Sequence, residues 1–254
     1  MIAALLVRGL AAGLAAGVLA GGFGFAVGEP KVERAIGVER ASHQAMGPAA
    51  APVVSRSAQR GGLLLAAALY GLAVGGLFAL AFAAVRGRVG PRGDWSTAIW
   101  LAGLLFVAVA VVPALKYPPN PPGVGDPSTI SSRTSLYLTM VAITLLGLLA
   151  AWRLAGQLSS RALPWVRQLA AAALFTATVT VALIVLPAVD EVPRSYPADL
   201  LWSFRLSSLG VQLALWSALG ALFGIACERS QPRRGRRRRE PNYAPVPGAG
   251  RDDR

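Results

Sequence analysis

Six apolar runs, nearly free of charge, set the pattern along the chain, with shorter polar stretches between them. They cover residues 9–27, 61–85, 97–115, 135–152, 169–189 and 206–227. Each is close to the ~20 residues a helix needs to cross a ~30 Å hydrocarbon core. Backbone polar groups in lipid must be satisfied within the segment, so these runs are expected to be helices. Alanine and leucine dominate them, which argues against a barrel, whose strands alternate in units of about ten residues. The expected fold class is all-α: a polytopic membrane protein of about six transmembrane helices. Residues 1–229 form the helical bundle, and 230–254 form a disordered, Arg-rich cytoplasmic tail.

Composition supports this reading. The chain has 254 residues, 54% of them hydrophobic. Arg8 ahead of the first run gives it some likeness to a signal peptide. The run is longer than the usual 7–15 residues, however, and no clear small-x-small cleavage site follows. A lone cysteine, Cys227, cannot form an intramolecular disulfide, so the redox compartment is not readable.

Charge then orients the bundle. The net charge is +13, and the stretch 229–254 carries nine arginines against three acids. Its "RRGRRRRE" could suggest nucleic acid, but directly after a span it reads as a polybasic segment drawn to anionic lipid. No nucleic-acid partner is expected. Arg86, Arg88 and Arg92 follow the second run, and Arg153, Arg161 and Arg167 follow the fourth. Positive-inside counting puts these loops and both termini in the cytoplasm, N-in and C-in. The long first loop, with Lys31, Arg34, Arg40, Arg56 and Arg60 beside three glutamates, runs against that count.

Glycines recur every four residues at Gly9, Gly13, Gly17 and Gly21, again at Gly71 and Gly75, and at Gly220 and Gly224. That spacing puts them on one helical stripe, where backbones can approach closely. Packing within the bundle and contact with a second subunit both fit. Thr176, Thr178, Thr180, Gln212 and Ser217 are candidates for hydrogen bonds between helices.

Three outer segments carry the candidate chemistry. In "GEPKVERAIGVERASHQ", Glu29-Pro30 has the form of a helix start, predicting a short interfacial helix through Arg40. Glu39 and the only histidine, His43, would share a face if that helix continues. They read as a metal pair or as a solvated ion pair. In "KYPPNPPGVGDPS", five prolines stiffen a loop that stops one helix and starts the next, with Asp126 as N-cap before Pro127. A polyproline-like backbone makes no internal hydrogen bonds, so its carbonyls, with Asn120 and Asp126, could also face a cation. In "LPAVDEVPRSYPADLLWSFRL", Asp190 and Glu191 close the fifth span. Arg205 either reaches out to the interface or turns inward to pair with one of them.

Taken together, "GEPKVERAI", "VSRSAQRG" leading into "LYGLAVGGLFALAF", "LKYPPNPPGVGDPSTISSRTSLYL" and "LPAVDEVP…YPADLLWSFRLSSLGVQLALW" resemble the CbtA family, described as probable cobalt transporter subunits. The order and spacing agree over most of residues 1–229. The resemblance implies a multi-pass protein of the bacterial inner (plasma) membrane, tied to cobalt supply for cobalamin synthesis. It also implies a small single-span partner, CbtB, with a histidine-bearing end. Two departures stand out. Where the family often has a histidine-rich stretch, this chain reads "ASHQAMGPAAAP" with His43 alone, and Asp190 stands where the family usually has Asn. A site here would be mostly oxygen, which suits harder ions, leaving nitrogen ligands to the partner.

The expectation is a transport subunit for a divalent cation, with cobalt as the transported ion and no bound cofactor. Glu191 and Asp126 lead the metal ligands, followed by Asp190, Glu29, Glu39, His43 and Asn120, with Arg205 and Arg133 as charge partners. The alternative is a non-transporting membrane scaffold or accessory subunit. No GxxxxGK[ST] phosphate loop is present, and no nucleophile–base pair is visible, so the chain is not read as an enzyme.

Overall fold

The computed structural model describes residues 2–44, 55–88, 93–158 and 162–230. Among them there is no strand, and six helices are long and apolar enough to cross a membrane. The boundaries differ from the sequence reading chiefly at the first span. Helix α1 (Ile2–Phe23) does not give way to a separate interfacial helix. It passes through a π turn, Gly24–Gly28, straight into α2 (Glu29–Gln44). The apolar stretch together with the charged one spans 40 residues, Ile2–Ala41. At 1.5 Å per residue this is about 60 Å, twice the hydrocarbon thickness, so α2 stands clear of the bilayer.

The third span shows the same device. Helix α3 (Arg56–Val85) precedes α4 (Asp94–Phe106), which runs through a π turn, Val107–Val111, into the short α5 (Val112–Lys116). Each π turn ends two residues before a proline, Pro30 or Pro113. Proline has no N–H and its ring collides with the carbonyl four residues back, so the widened turn absorbs the conflict without breaking the helix. At Pro113 the carbonyls five and four residues back, Ala108 and Val109, lose their backbone donor. The Thr144 hydroxyl lies 2.6 Å from the Ala108 oxygen, and the Tyr137 hydroxyl donates to Val109 at 3.2 Å.

Both residues come from α6 (Ile130–Gln157), the first arm of a hairpin completed by α7 (Pro164–Val185). Pro187, just past α7, likewise leaves the Leu183 carbonyl without a helical donor. Lys116 Nζ fills it at 2.6 Å, and the Tyr117 hydroxyl donates to the Pro187 carbonyl at 2.8 Å. Unpaired carbonyls in hydrocarbon cost several kcal/mol each, so these side chains do necessary work at the proline sites. Thr178, expected to bridge helices, instead donates to Leu174 of its own helix.

The last span is α8 (Ala198–Arg229). Four helices, α1, α3, α4 and α8, make the main core. Gly9, Gly13 and Gly17 interleave with Gly71 and Gly75 so closely that a Cβ on any of these five would overlap backbone of the facing helix. On α8, a Cβ on Gly220 or Gly224 would overlap the side chain of Ala102 or Trp95 of α4. The glycine stripes are thus spent inside one chain. Phe223 stands edge-on to Phe78 and Phe82, with centroids 5.2 and 4.9 Å away. The α6–α7 hairpin has a smaller core around Val112, Met140 and Ala182, and it joins the rest mainly through the π turn and α5. On α7 itself Ala182 is the one buried residue among those described.

Candidate functional site

One face gathers the N-terminal end of α1, the end of α8 and the facing ends of α3 and α4. There Asp94, 6% exposed, receives Arg86 Nε at 2.8 Å, with a second contact from the same guanidinium. The candidate chemistry lies on the far face, where α2, the start of α3, the loop 117–129, the loop 186–197 and the start of α8 converge.

The proline-rich loop is held at its two glycines. Gly123 (φ +77°) and Gly125 (φ +101°) take left-handed backbone that other residues rarely adopt. A Cβ on Gly123 would overlap the Glu39 side chain, and one on Gly125 would overlap both Arg133 and Glu191. The loop therefore lies with its backbone pressed against two carboxylates. Glu191 Oε2 accepts the Asp126 backbone N–H at 3.0 Å and meets Arg133 Nε at 3.4 Å. Arg133 also donates to the Asp126 carbonyl at 3.1 Å.

Asp126 is the expected N-cap. Its Oδ1 accepts the Ser128 N–H at 2.8 Å and the Ser128 hydroxyl at 2.7 Å. Those bonds, led by the backbone one and aided by Arg133, hold its carboxyl below the ordinary value. The carboxylate is thus turned to its own helix start. The Glu191 carboxylate is turned to the loop and Arg133, so the two do not converge on one point.

Arg205 turns inward but takes neither acid as its hydrogen-bond partner. Its NH2 donates to Asn120 Oδ1 at 2.9 Å, its guanidinium lies 5.7 Å from the Trp202 ring centroid, and Asp190 lines the same cavity. Glu29 lies apart from this group. It is buried and holds Arg56 and Arg60 at 2.7 and 2.8 Å, while Glu33 takes the same two arginines. This ties the root of α2 to the start of α3 and explains the basic "VSRSAQRG". Glu39 sits against the loop near Tyr196, whose hydroxyl is pushed up by burial and by that charge. His43 is in the last turn of α2, and its side chain lies outside the described residues, as does the tail from 231 onward.

Between these groups is a cavity of about 370 Å³, lined in part by Tyr117, Asn120, Arg133, Tyr137, Asp190 and Arg205. Among the described residues no three His, Cys, Asp or Glu side chains gather closely enough to hold a metal ion. Of these lining residues, Asn120, Asp190, Arg133 and Arg205 are candidates from the sequence, and Tyr117 and Tyr137 are not. The pattern "KYPP" carries the first as a signal, since a tyrosine at a span end next to prolines has polar work to do.

These features define a polytopic α-helical membrane protein with a polar, loop-walled cavity at one mouth of its bundle. The family model for CbtA, described as "Probable cobalt transporter subunit", matches residues 2–228. The chain belongs to that family. No curated protein and no solved structure matches it.

Proposed function

We propose that this chain is the membrane-embedded subunit of a cobalt transporter of the bacterial inner membrane, acting with a small CbtB-like single-span protein in cobalt supply for cobalamin. The observation that carries the reading is the far-face cavity. It sits at one mouth of a six-span bundle and is walled by polar loops. With both termini cytoplasmic, the cavity faces outward. Asp190 and Asn120 line it, and Glu191 stands one arginine away, so these supply the oxygen ligands within reach. Asp126, Glu39 and Glu29 lie further out along the rim, and His43 would extend it from the end of α2.

The test is cellular cobalt by elemental mass spectrometry, in a host lacking other uptake routes, at low external Co²⁺. The chain is expressed alone, with the partner, and as Asp190→Asn and Glu191→Gln. Cobalt should rise with the wild type plus partner and fall at least several-fold with either variant. Unchanged cobalt in every strain, with protein in the membrane, would sink the reading. The second reading, a non-transporting accessory subunit, is favoured by one specific observation: Glu29, Glu33 and Glu191 each already hold an arginine. Co-purification of a stable complex that conducts no cobalt would establish it.

A further inference from the structure

The far-face cavity is unlike a bare-cation site in size and in charge. About 370 Å³ is many times the ~30 Å³ share of one water and lies within the ~300–1,000 Å³ range of small-molecule pockets. Two of its lining residues are arginines, which stay charged in any protein setting. Neither is wholly buried: Arg133 keeps 24% of its side chain exposed, and Arg205 is half-buried. A guanidinium beside a cavity takes an oxyanion in its planar fork of donors.

The rest of the lining has the opposite character. Asp190 contributes a carboxylate. The Tyr117 and Tyr137 hydroxyls give their protons away to the Pro187 and Val109 carbonyls, so what their oxygens have left to offer is lone pairs. One pocket thus holds donors for an anion and acceptors for a cation, between apolar walls that include Val124, Ile130 and Val189.

We propose that this cavity binds a divalent cation as its small carboxylate chelate, with Arg205 and Arg133 taking the carboxylate and Asp190 with the tyrosine oxygens taking the metal side. The proposal rests on the transport reading for the identity of the metal, but the binding mode stands on the cavity alone. A phosphate dianion fits less well, because Asp190 opposes its second charge.

The test uses the full chain in nanodiscs and calorimetric titration with three probes: Co²⁺ alone, citrate alone and the 1:1 Co²⁺–citrate complex. The chelate should bind at least tenfold more tightly than either component. Arg205→Gln should lower chelate affinity at least tenfold, with Arg205→Lys restoring part of it. Asp190→Asn should remove the chelate's advantage over citrate, with citrate alone binding at least as tightly as before. Arg153→Gln, remote from the cavity, serves as the control, and Asn120→Ala is the second variant should Arg205→Gln fail to fold. Co²⁺ alone binding as tightly as the chelate, inorganic phosphate competing better than citrate, or no binding by any probe would each overturn the proposal. Chelate binding without cobalt uptake in cells would leave the pocket assignment standing and sink the transport reading instead.

Discussion

Gly125 concentrates the constraints of the far face in one residue. Its φ of +101° excludes ordinary side chains, and the space a Cβ needs is held by Arg133 and Glu191. Gly125→Ala should cost more than the ~1–2 kcal/mol of left-handed backbone alone, seen as a lower unfolding midpoint in detergent. Its neighbour Asp126 supplies a pH signature. Hydrogen bonds in the folded state depress its pKa, so its stabilisation is complete above the unfolded carboxyl value of ~3.9 and is lost as pH falls through the lower folded value. The wild type should therefore exceed Asp126→Asn in unfolding midpoint at pH 6, and the gap should close toward pH 2.5. The capping role of Asp126 was legible in "GDPS", because a cap is local chemistry. The partner of Arg205 was not, because Asn120 lies 85 residues away in sequence and only the packing of the loop 117–129 against α8 brings them together.

At the scale of elements, the number and order of the spans and the glycine stripes were legible, since apolar runs and four-residue spacing are periodic signals. The two π turns were not. A proline predicts a break, and the helix continues because hydroxyls from α6 answer the carbonyls that Pro113 leaves open. That account predicts a coupling. Thr144→Val should cost on the order of 0.6 kcal/mol, the usual membrane value, but less in a Pro113→Ala background, where a backbone N–H returns. A double-mutant cycle measures the difference. Packing of α1 on α3 gives a sharper contrast. Gly71→Val must force apart two touching backbones, at a cost of about 1–3 kcal/mol or more, and should lower the thermal midpoint markedly. Gly62→Val on the same helix meets nothing within 4 Å and should change the midpoint little.

For the whole molecule, stability is unevenly spread. The four-helix core of α1, α3, α4 and α8 is dense, whereas the α6–α7 hairpin is attached along a narrow line by Lys116, Tyr117, Tyr137 and Thr144. Hydrogen exchange in nanodiscs should show α7 opening before α1 and α8, with equal protection of the three counting against this division. The far-face cavity lies on that line, so a shift of the hairpin would change its shape.

The core also has a consequence for how the protein is made. Leu215, Trp216, Leu219 and Phe223 complete it from α8, which is made after the other five described spans. Until then α1, α3 and α4 wait in the bilayer with Phe78 and Phe82 uncovered. Biogenesis thus has a late checkpoint: a nascent chain cut short after α7 is an unfinished bundle, recognisable to membrane quality-control proteases, however completely its first five spans have been inserted.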